Sequence, residues 1–155
     1  MDTQTVLYEV QDSIAKITLN LPEMRNPLTT QLTNELIAAI EAAGQDEHVK
    51  AIILTGNGPA FCADGNMNEF KENFTKSVPQ LYWEGKESTR LFELGATICT
   101  PMIASVNGSA LGGGCGLVAM CHLAIASDQA KFGTTELRLG LIPFVIMFCF
   151  DAGMV

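Results

Sequence analysis

Three consecutive glycines, Gly112, Gly113 and Gly114, stand between a strand-like run at residues 101–106 and a helix-like run at 115–121. Glycine weakens a helix interior, so a triplet there needs another reason. Without Cβ atoms, backbone N–H groups at a helix start can closely approach an anion or a carbonyl oxygen that is gathering charge. A second Gly-containing turn, Phe61-Cys62-Ala63-Asp64-Gly65-Asn66-Met67, follows another buried-strand pattern. Two such turns supply two donors able to converge on one developing oxyanion. Tight helix packing beside an ordinary loop would leave the same residues, and one Gly-rich match by itself is weak evidence.

The elements that must position these turns alternate between strand and helix. Residues 6–10 and 13–19 read as two strands of a hairpin joined at Gln11-Asp12. A loop rich in proline and asparagine follows at 20–27. Thr29 or Thr30 can cap a helix that carries Leu32, Leu36, Ile37 and Ile40 on one face, with Gly44 as its stop. Residues 50–55 form a short apolar strand, and 68–74 a short helix. A longer helix runs from Pro79 to about Cys99, anchored by Leu81, Leu91, Leu94 and Ile98. Strands are expected at 102–106 and 123–126, a helix at 113–121, and a short strand at Lys131-Phe132 before the polar turn Thr134-Thr135-Glu136. This order predicts an α/β layered fold without repeats or linkers, hence one domain.

Bulk composition narrows the function classes. The chain of 155 residues is 48% hydrophobic and 17% charged, which suits a folded core. Its net charge of −8, with nine Lys and Arg, cannot assemble a basic face for nucleic acid. The same charge disfavours long-range attraction of a phosphorylated ligand, so any phosphate binding must be local. No apolar run is long enough to span a membrane, and the polar start does not look like a signal peptide; a cytoplasmic location is the default expectation. The five cysteines include no zinc-ribbon or Cys-x-x-Cys spacing, so no metal site is expected. Cys115 and Cys121 read as small buried hydrophobes.

Several segments together resemble the enoyl-CoA hydratase/isomerase (crotonase) superfamily. The loop Asn20-Leu21-Pro22-Glu23-Met24-Arg25-Asn26 is similar to its Asn-x-Pro-x-x-x-Asn segment. Ile53-Leu54-Thr55-Gly56 with Phe61-Cys62-Ala63 is similar to its first thioester-binding turn, and the stretch Asn107 to Gly114 to its most recognisable motif. Phe132-Gly133-Thr134-Thr135-Glu136 and Leu139-Gly140-Leu141-Ile142-Pro143 continue in register. The resemblance implies a crotonase-like spiral of ββα units with two roughly perpendicular sheets. It also implies acyl-CoA thioester substrates and an enolate held by two backbone N–H groups, here those of Gly65 and Gly113. Cys62, Ala63 and Gly65 would line the path of the adenine and pantetheine. Coenzyme A arrives with the substrate, so no resident cofactor is implied; the family's assemblies imply a trimer or dimer of trimers.

The chain departs from the family in two places. Hydratases of the family use two glutamates, and the first of these positions is Gly116 here; the second is Glu136, twenty positions on, as in the two-glutamate members. A lone carboxylate beside an oxyanion hole suits double-bond migration better than hydration. Burial of Glu136 among Leu137, Leu139 and the apolar tail would raise its pKa and make it a better base. The second departure is the tail. Residues 1–147 are read as the crotonase-like core, whereas 148–155 do not resemble the family's continuation past that point, as if from a frameshift, early stop or truncation. His122, at a position where the family often has aspartate, is read as structural, and His48 as solvated. A non-catalytic acyl-CoA-binding fragment is the alternative to an enzyme; a serine or cysteine hydrolase lacks its Gly-x-Ser-x-Gly elbow.

Overall fold

A computed structural model describes residues 4–63, 72, 75–143 and 145–147. The hairpin expected at the start is β1 (Val6–Gln11) and β2 (Ile14–Leu19), antiparallel with Gln11 opposite Ile14. Its loop is therefore Asp12-Ser13, one residue later than expected, and both residues have positive φ (51° and 64°). Such a two-residue turn matches the right-handed twist of its strands. Strands β3 (Ala51–Gly56), β5 (Met102–Val106) and β7 (Leu123–Ala126) extend this sheet in parallel, in the order β1-β2-β3-β5-β7.

A second sheet, wholly parallel, is built from β4 (Ala60–Ala63), β6 (Ser109–Leu111) and β8 (Phe132–Gly133). From β3 onward the chain repeats one path: a strand in the large sheet, a strand in the small sheet, then a helical element. The helices are α2 (Val78–Thr97) after β4 and α3 (Gly113–Ala119) after β6, with a 3-10 helix (Thr135–Leu139) after β8. Periodicity does not separate β4 and β6 from their turns, since three or four residues are too few to display alternation.

The corners between the sheets are tight. A Cβ on Gly56 would lie 2.4 Å from the Phe61 carbonyl oxygen, and one on Gly108 would lie 2.3 Å from that of Pro59. Asn107 stitches the two corners together, accepting from the Gly56 N–H (3.2 Å) and donating to the Gly58 carbonyl (2.9 Å).

Helix α1 (Thr30–Gln45) covers one face of the large sheet. Thr29 caps it, accepting from the Leu32 N–H at 3.1 Å, and the expected stripe of Leu32, Leu36, Ile37 and Ile40 is buried in one core with Ile17, Leu19, Ile52 and Leu54. Gly44 does not stop this helix. It lies within it, where the Ile98 side chain packs so closely that a Cβ would meet it at 3.0 Å. In α2, Leu91 is buried as expected, whereas Leu81 and Leu94, with Ile98 just past the helix end, are half-buried and Phe92 is an additional core residue. The helix expected at 68–74 falls almost wholly outside the described residues.

Candidate active site

All three strands of the small sheet run the same way, so their C-terminal ends open on one edge. In parallel sheets that edge is where ligand-binding loops gather. Ala63 at the end of β4 pairs with Leu111 at the end of β6, and Leu111 pairs with Gly133 at the end of β8. Gly113 stands two residues beyond β6 and Glu136 three residues beyond β8. The sheet thus brings two of the candidate catalytic residues to one end. Gly65, with Asp64, Asn66, Asn68 and Glu69, lies outside the described residues.

The glycine triplet divides its tasks. Gly112 has φ 52° and ψ −120°, a conformation open to glycine and strained for any L side chain, and its N–H donates to the Gly133 carbonyl at 2.8 Å. Gly114 allows contact between backbones: a Cβ there would lie 2.2 Å from the Cys62 carbonyl oxygen. Helix α3 therefore starts directly against β4. Gly113 sits between them in sequence with Leu28 packed on its Cα, and its N–H donates to no described residue. A free amide donor is what an oxyanion site requires.

Cys62 is fully buried and Ala63 half-buried, both in β4 and not in the turn assigned to them from sequence. The loop before α1 holds this strand. Asn26, wholly buried with φ 54°, accepts from the Leu21 N–H (2.8 Å) and donates to the carbonyls of Asn57 and Ala60 (2.9 Å each) and Phe61 (3.2 Å). The Ala63 N–H in turn donates to the Arg25 carbonyl at 2.9 Å. Sequence reasoning misses this bracing, although the Asn-x-Pro-x-x-x-Asn spacing is its signal.

Glu136 occupies the first turn of the 3-10 helix. Its Oε2 is buried and has no hydrogen-bond partner among the described residues. Buried carboxylate oxygens are normally satisfied, so an orphan marks a place where a ligand, a water or a transferring proton belongs. The expected apolar jacket is corrected in one part: Leu137 is 65% exposed and points to solvent, because adjacent residues of a helical turn face different ways. The remainder of that expectation, the side chain of Leu139 and the tail beyond residue 147, lies outside what is described.

Of the other singled-out residues, Cys115 and Cys121 are buried as small hydrophobes, with Sγ 3.0 Å from the Ala110 carbonyl and 3.2 Å from that of Leu117 respectively. His122 has a structural role, its Nδ1 accepting from the Met102 N–H at 3.0 Å. His48 is exposed beside Asp46. Among the described residues no group of His, Cys, Asp and Glu could hold a metal ion, and no helix is long and apolar enough to cross a membrane.

This α/β arrangement, with one sheet of five strands and one of three, is that of the crotonase fold. Residues 9–151 match the model of the Enoyl-CoA hydratase/isomerase family, and the chain belongs to that family. It is 41% identical over 144 residues to the "Probable enoyl-CoA hydratase" of Rhizobium meliloti, covering 92% of this chain and 54% of that one. The "Short-chain-enoyl-CoA hydratase" of Clostridium acetobutylicum is 36% identical over 144 residues, with the same coverage. A solved structure from Legionella pneumophila, described as an enoyl CoA hydratase/isomerase (crotonase), superposes with a TM-score of 0.90 at 33% identity, over 94% of this chain and 56% of that one. The chain spans about half the length of the curated relatives it matches.

Proposed function

We propose that this protein binds acyl-CoA thioesters and catalyses a hydratase/isomerase-type reaction, with the Gly65 and Gly113 amides holding the thioester oxygen and Glu136 moving protons. The observation that carries this reading is the buried Oε2 of Glu136, on the strand edge that also presents the Gly113 N–H, neither of them with a hydrogen-bond partner among the described residues. Cys62 and Ala63 would line the coenzyme A path, chiefly through backbone groups, which suits a chain of net charge −8. Coenzyme A enters as part of the substrate.

In the favoured reaction a 3-enoyl thioester loses a C2 proton to the Glu136 carboxylate. The electron pair moves into the carbonyl, whose oxygen becomes negative and is met by fixed amide dipoles. The proton returns from Glu136 to C4, the double bond now joins C2 and C3, and the carboxylate is restored. Water neither enters nor leaves. Hydration of a 2-enoyl thioester demands in addition a water held at C3.

The test is turnover of purified protein with 2-enoyl-CoA and 3-enoyl-CoA, reading water addition and double-bond shift separately. Glu136→Gln should lower kcat about 10²–10⁴-fold with a nearly unchanged KM. Retention of more than a tenth of the wild-type rate would remove Glu136 from the chemistry. A second reading, acyl-CoA binding without turnover, is favoured by Gly116, which offers no side chain at the position where the family's two-glutamate members carry their first acid. It predicts saturable binding of a saturated acyl-CoA by a protein inert to both enoyl substrates.

A further inference from the structure

Gly116 lies one helical turn beyond Gly113 on α3, so both project toward the same side of that helix. The Gly113 amide stands at the start of the same helix, one turn before position 116. There is no space for a side chain at 116. A Cβ built on Gly116 would lie 2.5 Å from Cγ2 of Ile146 and 2.6 Å from Cε1 of Phe92. Both side chains are nearly inaccessible, at 2% and 4% exposure, and they arrive from different elements, Phe92 from α2 and Ile146 from the helical turn at 145–147. A methyl group and a ring edge offer no hydrogen-bond partner, whereas a bound water needs two to four.

We infer that Phe92 and Ile146 form an apolar plug over Gly116 that denies the site a second acid–base side chain and the water such a group would hold. Resting on the functional reading above, the plug sets the reaction preference: Glu136 relays a proton between C2 and C4, and water addition at C3 lacks its second polar partner. Ile146 is then a specificity-determining residue supplied by the last described segment of the chain.

A four-corner comparison of wild type, Gly116→Ala, Ile146→Ala and the double variant tests the packing without reference to activity. Alanine in place of glycine ordinarily strengthens a helix. Here Gly116→Ala should lower Tm by about 3–10 °C, and the loss should shrink or reverse in the Ile146→Ala background. Equal Tm effects in both backgrounds overturn the plug. The preference is tested by Gly116→Glu combined with Ile146→Ala, assayed with both enoyl substrates. The ratio of hydration to isomerisation should rise at least about tenfold over wild type, a change of about 1.4 kcal/mol in relative barriers. An unchanged ratio, or a wild-type protein that hydrates as fast as it isomerises, overturns it. If the Tm coupling is present but wild type turns over neither substrate, the catalytic reading fails, and the preference with it, while the packing stands.

Discussion

Two carboxylates in this chain live under opposite conditions. Glu35 on α1 accepts four hydrogen bonds, from the N–H and hydroxyl of Thr5, the Val6 N–H and the Gln31 amide, at 2.7–3.0 Å. Partial burial alone would raise its pKa, but the hydrogen bonds from Thr5, Gln31 and Val6 outweigh this and hold the carboxyl below its ordinary value. Glu136 has a buried oxygen with no such partner among the described residues. The first pattern is that of a group that ties α1 to the start of β1; the second is that of a group kept available. A lowered folded-state pKa means that Glu35 stabilises the fold above its unfolded pKa. That contribution disappears as pH falls through the folded value. Glu35→Gln should therefore reduce Tm at neutral pH, and the gap from wild type should close progressively below about pH 4. A gap that stays constant into acid would show that the hydrogen bonds do not depend on the charge.

Between elements, the decisive contact is the approach of α3 to β4. Gly114→Ala would push a methyl group to 2.2 Å from the Cys62 carbonyl oxygen, and neither backbone can move without disturbing the pairing of Cys62 with Ala110. The usual gain of about 1 kcal/mol for Gly→Ala in a helix should be overturned, leaving a net loss of about 1–3 kcal/mol, read by denaturant unfolding. An unaltered midpoint would mean that α3 is free to lift away from β4. Sequence patterns carry much of this level. Thr29 capping, the α1 stripe, β5 and β7 follow from side-chain periodicity and capping chemistry. Periodicity has nothing to act on in the three residues of β6, whereas β8 falls one residue later than the short strand expected at Lys131-Phe132. Gly44 misleads because a glycine that admits a neighbouring side chain, here Ile98, looks the same in sequence as one that ends a helix. The site is legible to the degree that its chemistry is local. Gly113 stands out by residue type and Glu136 through the family resemblance, whereas the Asn26 brace depends on carbonyls of Asn57, Ala60 and Phe61, more than thirty positions away.

At the scale of the whole molecule, no described residue covers the outer flank of the large sheet. Strand β7 is an edge strand, and all four of its residues are exposed, including Leu123 at 64% and Ile125 at 71%. Parallel strands are ordinarily covered on both faces. Beside it Phe132 is half exposed, and an apolar cleft of about 600 Å³ runs between β7, α3 and β8, lined by Val118, Leu123 and Phe132 among others. An edge with free backbone groups and no charged side chain invites another strand, and the net charge of −8 is spread over the chain, not concentrated there. The expected behaviour is concentration-dependent self-association, read by sedimentation at increasing protein concentration. Leu123→Lys with Ile125→Lys places charge on the edge and removes two large apolar side chains, each contributing about 1.5–3 kcal/mol when buried. The dissociation constant should rise by about 10² or more, with Tm of the protomer little changed because neither side chain belongs to the core. A wild-type chain that stays monomeric at high concentration would mean that backbone pairing and apolar burial at this edge do not outweigh the entropy of association.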